Sequence, residues 1–188
     1  ITPGMDPEVQ KTFQRMLKKQ GINFVMGAAV QKTEVAKGKA TVSYKLRKDD
    51  SEHEIEADTV LVATGRKPVI KGMGLDDLGI KTTERGQIAV NEHWETSVKG
   101  VYAIGDVTGK LLLAHVASAQ GVTAVETMAG LAPQALDYDL MPKAVYSRPQ
   151  VASFGMTEQA ARESGRELKI GKFPLSASGK ALALGESD

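Results

Sequence analysis

The stretch Thr59-Val60-Leu61-Val62-Ala63-Thr64-Gly65-Arg66-Lys67-Pro68 is apolar or β-branched up to Thr64, then turns abruptly polar. A short run of that kind predicts a strand covered on both faces, as in a parallel sheet, ending in a turn. Open α/β sheets seat ligands at the carboxyl ends of such strands. Gly65 leaves no Cβ between backbone and ligand, although a turn needing an unusual backbone conformation accounts for a glycine equally well. About 40 residues later, Val101-Tyr102-Ala103-Ile104 reads as a second buried strand, stopped by Gly105-Asp106. A carboxylate at Asp106 can accept hydrogen bonds from ligand hydroxyls; a capping or turn role is the competing reading. Leu112, Leu113, Ala114 and His115 then lead into a helix over 116–128. The free N–H groups and positive dipole end of that helix suit an anionic or carbonyl-bearing ligand edge.

Working outward, residues 6–20 predict a helix with Asp6 as N-cap, Pro7 in the first turn and Gly21 as its stop. Val9, Phe13, Met16 and Leu17 share one face of it. A short strand is expected over 22–30, and 40–46 alternates apolar with polar as a half-exposed strand does. Asp49-Asp50-Ser51 signals a turn, with 52–57 returning as the partner strand. Residues 69–99 are mixed and Gly-rich, and Pro133, Pro142 and Pro149 mark a second crossing. Near Met141 a new unit begins, with strands at 143–146 and 151–155, a helix at 158–164 capped by Thr157, and a strand at 168–173.

The 188 residues carry 24 Lys plus Arg against 23 Asp plus Glu, a balance that argues against a dedicated nucleic-acid binder. No apolar run approaches the roughly 20 residues that span a bilayer, so no membrane partner is expected. The absence of cysteine excludes a disulfide scaffold, thiolate metal ligation and a Cys nucleophile within the chain. His53, His93 and His115 are too scattered for a metal site; His115 reads as structural or as a backbone contributor rather than an acid/base group. The run from Gly105 to Leu111 resembles a phosphate loop only superficially: its spacing is one short and no Ser or Thr follows Lys110. Gly72-Met73-Gly74 lacks the third glycine of a dinucleotide fingerprint. Both ends look cut, which predicts a piece of a longer protein with the apolar faces of 59–63 and 101–104 uncovered.

The order of these motifs resembles the two-dinucleotide-binding flavoprotein disulfide reductases: Thr59 to Pro68, then Gly100-Val101-Tyr102-Ala103-Ile104-Gly105-Asp106, then Leu113-Ala114-His115, then Tyr146-Ser147-Arg148-Pro149-Gln150-Val151-Ala152-Ser153-Phe154-Gly155-Met156-Thr157-Glu158. Within that family Ala114-His115 and the run from Phe173 to Ser178 are most similar to the dihydrolipoamide dehydrogenase branch. The resemblance implies an α/β fold containing parts of two doubly wound, Rossmann-like FAD- and NAD-binding domains, followed by the start of an α+β dimerisation domain. It implies that 1–70 is the latter part of the NAD-binding domain, 71–140 the crossover and C-terminal part of the FAD-binding domain, and 141–188 a truncated interface domain.

By the same resemblance, Asp106, with Gly105, meets the ribityl chain of FAD, and Leu112, Leu113, Ala114 and His115 line the flavin side. Gly65 and Val30 contact NAD. No residue of this chain is assigned a catalytic role, because the redox Cys pair and the acid/base His lie outside it. The implied activity is oxidation of protein-bound dihydrolipoamide with reduction of NAD, by a homodimeric, cytoplasmic oxidoreductase that meets the lipoyl domain of a 2-oxo acid dehydrogenase complex. The chain alone is expected to be inactive. The alternatives are another disulfide reductase, mercuric-reductase-like or a soluble transhydrogenase, and a non-catalytic binding or assembly module.

Overall fold

The computed structural model describes residues 1–186, and these divide into two compact units. The first unit holds residues 1–64, 145–151 and those from Lys169 onward. Its helix α1, Pro7–Lys19, starts where Asp6 accepts the Glu8 backbone N–H at 2.9 Å. Pro7 sits at the first helical turn, and Lys18 and Lys19 lie at the negative end of the helix dipole. Phe13 points from α1 into a small core with Met5 and Val151, and Ile1, Leu17 and Val145 pack around it. Lys172 pairs with Glu8 at 2.7 Å on the surface of the same unit.

Strands β1 (Ala28–Ala36), β2 (Lys39–Leu46) and β3 (Glu52–Ala57) form an antiparallel meander in the order β1-β2-β3. Lys37 and Gly38 join the first two with φ of 52° and 78°. Two positive φ values in a two-residue loop match the right-handed twist of the strands it connects. The hairpin of β2 and β3 agrees with its alternating sequence. The strand expected over 22–30 begins only at Ala28, because its pairing with β2 ends where Ala28 faces Leu46. A register shift between Val30 and Lys32 interrupts β1.

The second unit holds residues 65–144 and 152–168. Ile80, Ile88 and Ala103 form its core, with Ile70, Leu75, Val90, Val98, Val101 and Val107 against them. Helix α2 runs Ala114–Met128, and α3, Glu158–Glu163, is capped by Thr157, whose hydroxyl accepts the Ala160 N–H at 3.1 Å. The division between the units passes through the short strands β4, Lys143–Val145, and β5, Val151–Ser153. A last helix, α4, Gly179–Leu184, was not expected from the sequence; Ser178 caps it.

Three expected strands are not formed. Residues 59–63 join no sheet, and Leu61 and Val62 are 87% and 74% exposed. Of 101–104, only Tyr102 makes a ladder contact, an isolated antiparallel bridge with Glu95. Residues 168–173 are irregular. Apolar, β-branched sequence makes a strand available, but a strand exists only where a neighbouring backbone closes its hydrogen bonds. Among the described residues 59–63 and 168–173 have no such neighbour, and 101–104 has one only over the single Glu95–Tyr102 bridge.

Candidate ligand site around Asp106

The second unit builds its most organised polar cluster at the end of the 101–104 segment. Gly105 adopts φ of 76°, a left-handed conformation that glycine enters without a Cβ penalty. Residues Gly105–Thr108 form one 3-10 turn, closed by the Gly109 N–H donating to the Asp106 carbonyl at 3.0 Å. The buried Thr108 hydroxyl donates to the Gly105 carbonyl at 2.8 Å. The Asp106 carboxylate stays partly exposed and pairs with the Arg66 guanidinium at 2.9 Å. Arg66 follows Gly65, whose φ is 117°. The ion pair therefore brings the irregular segment after 59–64, where the sequence predicts a turn, to the 3-10 turn after 101–104.

Helix α2 begins beside this cluster in sequence. Its N-cap residue, Leu113, is extended and supplies no side-chain cap. Leu112, Ala114 and His115 are exposed, and Leu113 is half-buried. The uncapped start of α2 offers free N–H donors, and Asp106, eight residues earlier in the chain, offers an acceptor. That donor set suits a ligand carrying both hydroxyls and a carbonyl-rich ring edge. Val30 lies exposed in β1 of the other unit.

Helix α2 packs through small residues. A Cβ at Gly105 would meet the Ala117 Cβ at 3.4 Å, and one at Gly121 would meet the Ile104 Cδ1 at 3.3 Å. Val116, Gln120 and Ala124, four residues apart, are the buried positions of the helix. Trp94 is also buried, and its indole N–H donates to the Thr123 hydroxyl at 2.7 Å.

The pyridine nucleotide-disulphide oxidoreductase profile matches residues 1–121, and the dimerisation domain of that family matches residues 141–188. The chain belongs to this family. Dihydrolipoyl dehydrogenase from Corynebacterium glutamicum is 44% identical over 191 residues, an alignment covering 100% of this chain and 41% of that protein. Dihydrolipoyl dehydrogenase from Bacillus subtilis is 47% identical over 188 residues, covering 100% of this chain and 40% of that protein. The chain thus spans about two fifths of the length of these curated relatives. The HOCl-induced flavoprotein disulfide reductase RclA from Escherichia coli shares the fold, with a TM-score of 0.85 at 24% identity over 99% of this chain and 42% of that one.

Three residues that reach the Asp106 cluster are not among those the sequence motifs point to. Arg66 reads in the sequence as a turn residue, and its partner lies 40 positions away. No sequence motif includes Gln120, whose Oε1 accepts the Gly105 N–H, or Tyr138, whose hydroxyl accepts from the Gln120 Nε2. The available signal was a glutamine at four-residue spacing from Val116 and Ala124, on the packing face of a small-residue helix. His53, read as solvated, is exposed; its ring stacks on Tyr44 with centroids 5.5 Å apart.

Proposed function

We propose that this chain is the cofactor-holding and interface portion of a dihydrolipoyl dehydrogenase, a homodimeric oxidoreductase that oxidises protein-bound dihydrolipoamide and reduces NAD. The observation that carries the reading is sequence identity of 44% and 47% to two dihydrolipoyl dehydrogenases across the whole chain. Bound FAD supplies the two-electron chemistry between the dithiol and NAD. In this reading Asp106 accepts hydrogen bonds from the ribityl hydroxyls of FAD, and Gly105 lets the backbone approach them. Leu112, Leu113, Ala114 and His115 flank the flavin, with the N–H groups at the start of α2 facing its polar edge. Gly65 and Val30 contact NAD. The exposed carboxylate of Asp106 and the uncapped start of α2 support these assignments chemically.

The chain contains no cysteine, so the disulfide that accepts electrons from dihydrolipoamide comes from other residues of the complete polypeptide. Residues 1–70 belong in this reading to the NAD-binding domain, 71–140 to the crossover and FAD-binding domain, and 141–188 to the dimer interface. The partner is the lipoyl domain of a 2-oxo acid dehydrogenase complex, and the location is cytoplasmic. No helix among the described residues is long and apolar enough to cross a membrane.

The test is dihydrolipoamide-dependent reduction of NAD by the complete, FAD-loaded polypeptide that contains this sequence. Steady NADH formation is expected there, and none from the 188-residue chain alone. A flavin-loaded complete polypeptide that reduces NAD with no dithiol tested, or only with another electron donor, overturns the assignment.

A further inference from the structure

Gln120 is fully buried, with none of its surface exposed. Burying a primary amide is costly unless its donors and acceptor are met, and an apolar side chain of similar size would pack against the same face of α2 without that cost. The amide does have partners. Its Oε1 accepts the Gly105 N–H at 2.6 Å, and its Nε2 donates to the Tyr138 hydroxyl at 3.1 Å. Gly105 is the residue immediately before Asp106. Lacking a Cβ, it has the broadest backbone freedom of any residue, so its own sterics do not select the φ of 76°. Hydrogen bonds from two sides do: Gln120 holds its N–H, and the Thr108 hydroxyl holds its carbonyl at 2.8 Å. With the Asp106 carbonyl also taken by Gly109, the backbone on both sides of the Asp106 side chain is tied, and the carboxylate itself meets Arg66.

We propose that Gln120 is a positioning residue for the ligand site. Oriented by Tyr138, its amide fixes Gly105 and so aims the Asp106 carboxylate at the hydroxyl chain of the flavin. The inference rests on the reading of Asp106 as a flavin contact. Polarity makes it specific. The Gly105 N–H demands an acceptor, which Gln or Glu provides and Met does not. With Glu at 120, kept neutral by its burial, the carbonyl oxygen accepts the Gly105 N–H and the carboxyl O–H donates to the Tyr138 hydroxyl, so both links survive; with Met both are lost.

The experiment is FAD titration of the complete polypeptide, following flavin fluorescence and the visible spectrum, for wild type, Gln120→Met, Gln120→Glu, Asp106→Ala and the double variant Asp106→Ala with Gln120→Met. Gln120→Met is expected to weaken FAD binding by about tenfold, the effect of losing a buried hydrogen bond at a site. Gln120→Glu is expected to stay within about threefold of wild type. Because Gln120 acts through Asp106, the double variant should bind FAD no more weakly than Asp106→Ala alone. Losses that multiply, or a Gln120→Met protein that binds like wild type, overturn the inference. If Gln120→Met does not fold, Tyr138→Phe carries the same test: weaker binding that does not add to Asp106→Ala supports the proposal, and unchanged binding overturns it. A wild-type polypeptide that takes up no FAD instead removes the flavin reading itself, and the inference falls with it.

Discussion

The Arg66 guanidinium lies 2.9 Å from Oδ2 of Asp106, so an exposed cation shares the carboxylate that we propose meets the flavin hydroxyls. The Arg66 and Asp106 side chains are 73% and 37% exposed, and ion pairs that wet contribute roughly 0–1 kcal/mol. A carboxylate has about four lone-pair sites, so this pairing leaves room for ligand hydroxyls on the other oxygen. Arg66→Gln is therefore expected to leave thermal stability within about 1 kcal/mol of wild type and to weaken FAD binding by about threefold. Asp106→Ala should weaken it by about tenfold or more, since the hydroxyls lose their charged acceptor. Raising the salt should move wild type toward Arg66→Gln by screening the pair. FAD titrations at low and high salt check this, and a larger loss in Arg66→Gln than in Asp106→Ala would refute it.

Trp94 offers a direct measure of how α2 is held. It is the chain's single tryptophan, is 3% exposed, and donates its indole N–H to Thr123 on α2. Thr123→Val keeps the shape and removes the acceptor, leaving a buried donor unpaired. The expected cost is about 1–3 kcal/mol, together with a shift in tryptophan fluorescence. Thr123→Ser restores the hydroxyl and should recover most of it. Denaturant unfolding followed by fluorescence reports both; equal stability of the Val and Ser variants would show that the hydrogen bond contributes nothing.

What could be read from the sequence was what is local. Asp6, Pro7 and the Lys18-Lys19 end specify α1 within one segment, and the alternation of 40–46 and 52–57 specifies a hairpin. Gly105, Asp106 and residues 112–115 are neighbours along the chain, so their grouping needed no tertiary knowledge. Segments 59–63 and 101–104 form no strands for the opposite reason: their apolar composition is local, but ladders depend on backbones elsewhere. Arg66 and Gln120 reach the Asp106 turn across 40 and 15 positions, and no periodicity in either segment encodes those meetings.

Gly109 is constrained twice over. Its φ is 66°, and a Cβ built on it would overlap the Gln87 side chain. Gln87 is not free to swing away without cost, because its Oε1 accepts the Thr83 hydroxyl at 3.0 Å. Gly109→Ala should therefore destabilise the chain by about 1–3 kcal/mol, combining left-handed strain with the steric clash. Adding Gln87→Ala removes the clash but not the strain, so the double variant should recover only part of the loss. Thermal melting of the two variants separates the contributions; full recovery would mean that the backbone conformation carries no strain.

Tyr138 gives the site a pH dependence whose sign follows from its surroundings. Burial pushes its hydroxyl above the ordinary value of 10.0, and the hydrogen bond from Gln120 offsets part of that rise. The unfolded chain then loses the phenolic proton before the folded one does. The associated stability is fully present below about pH 10 and is lost as the pH rises through the raised value. Tyr138→Phe has no such proton. The stability difference between wild type and Tyr138→Phe should be constant from about pH 7 to pH 9 and shrink above about pH 10. Melting both proteins across that range measures it directly, and a difference that stays flat to the alkaline end would mean the hydroxyl titrates as it does in water.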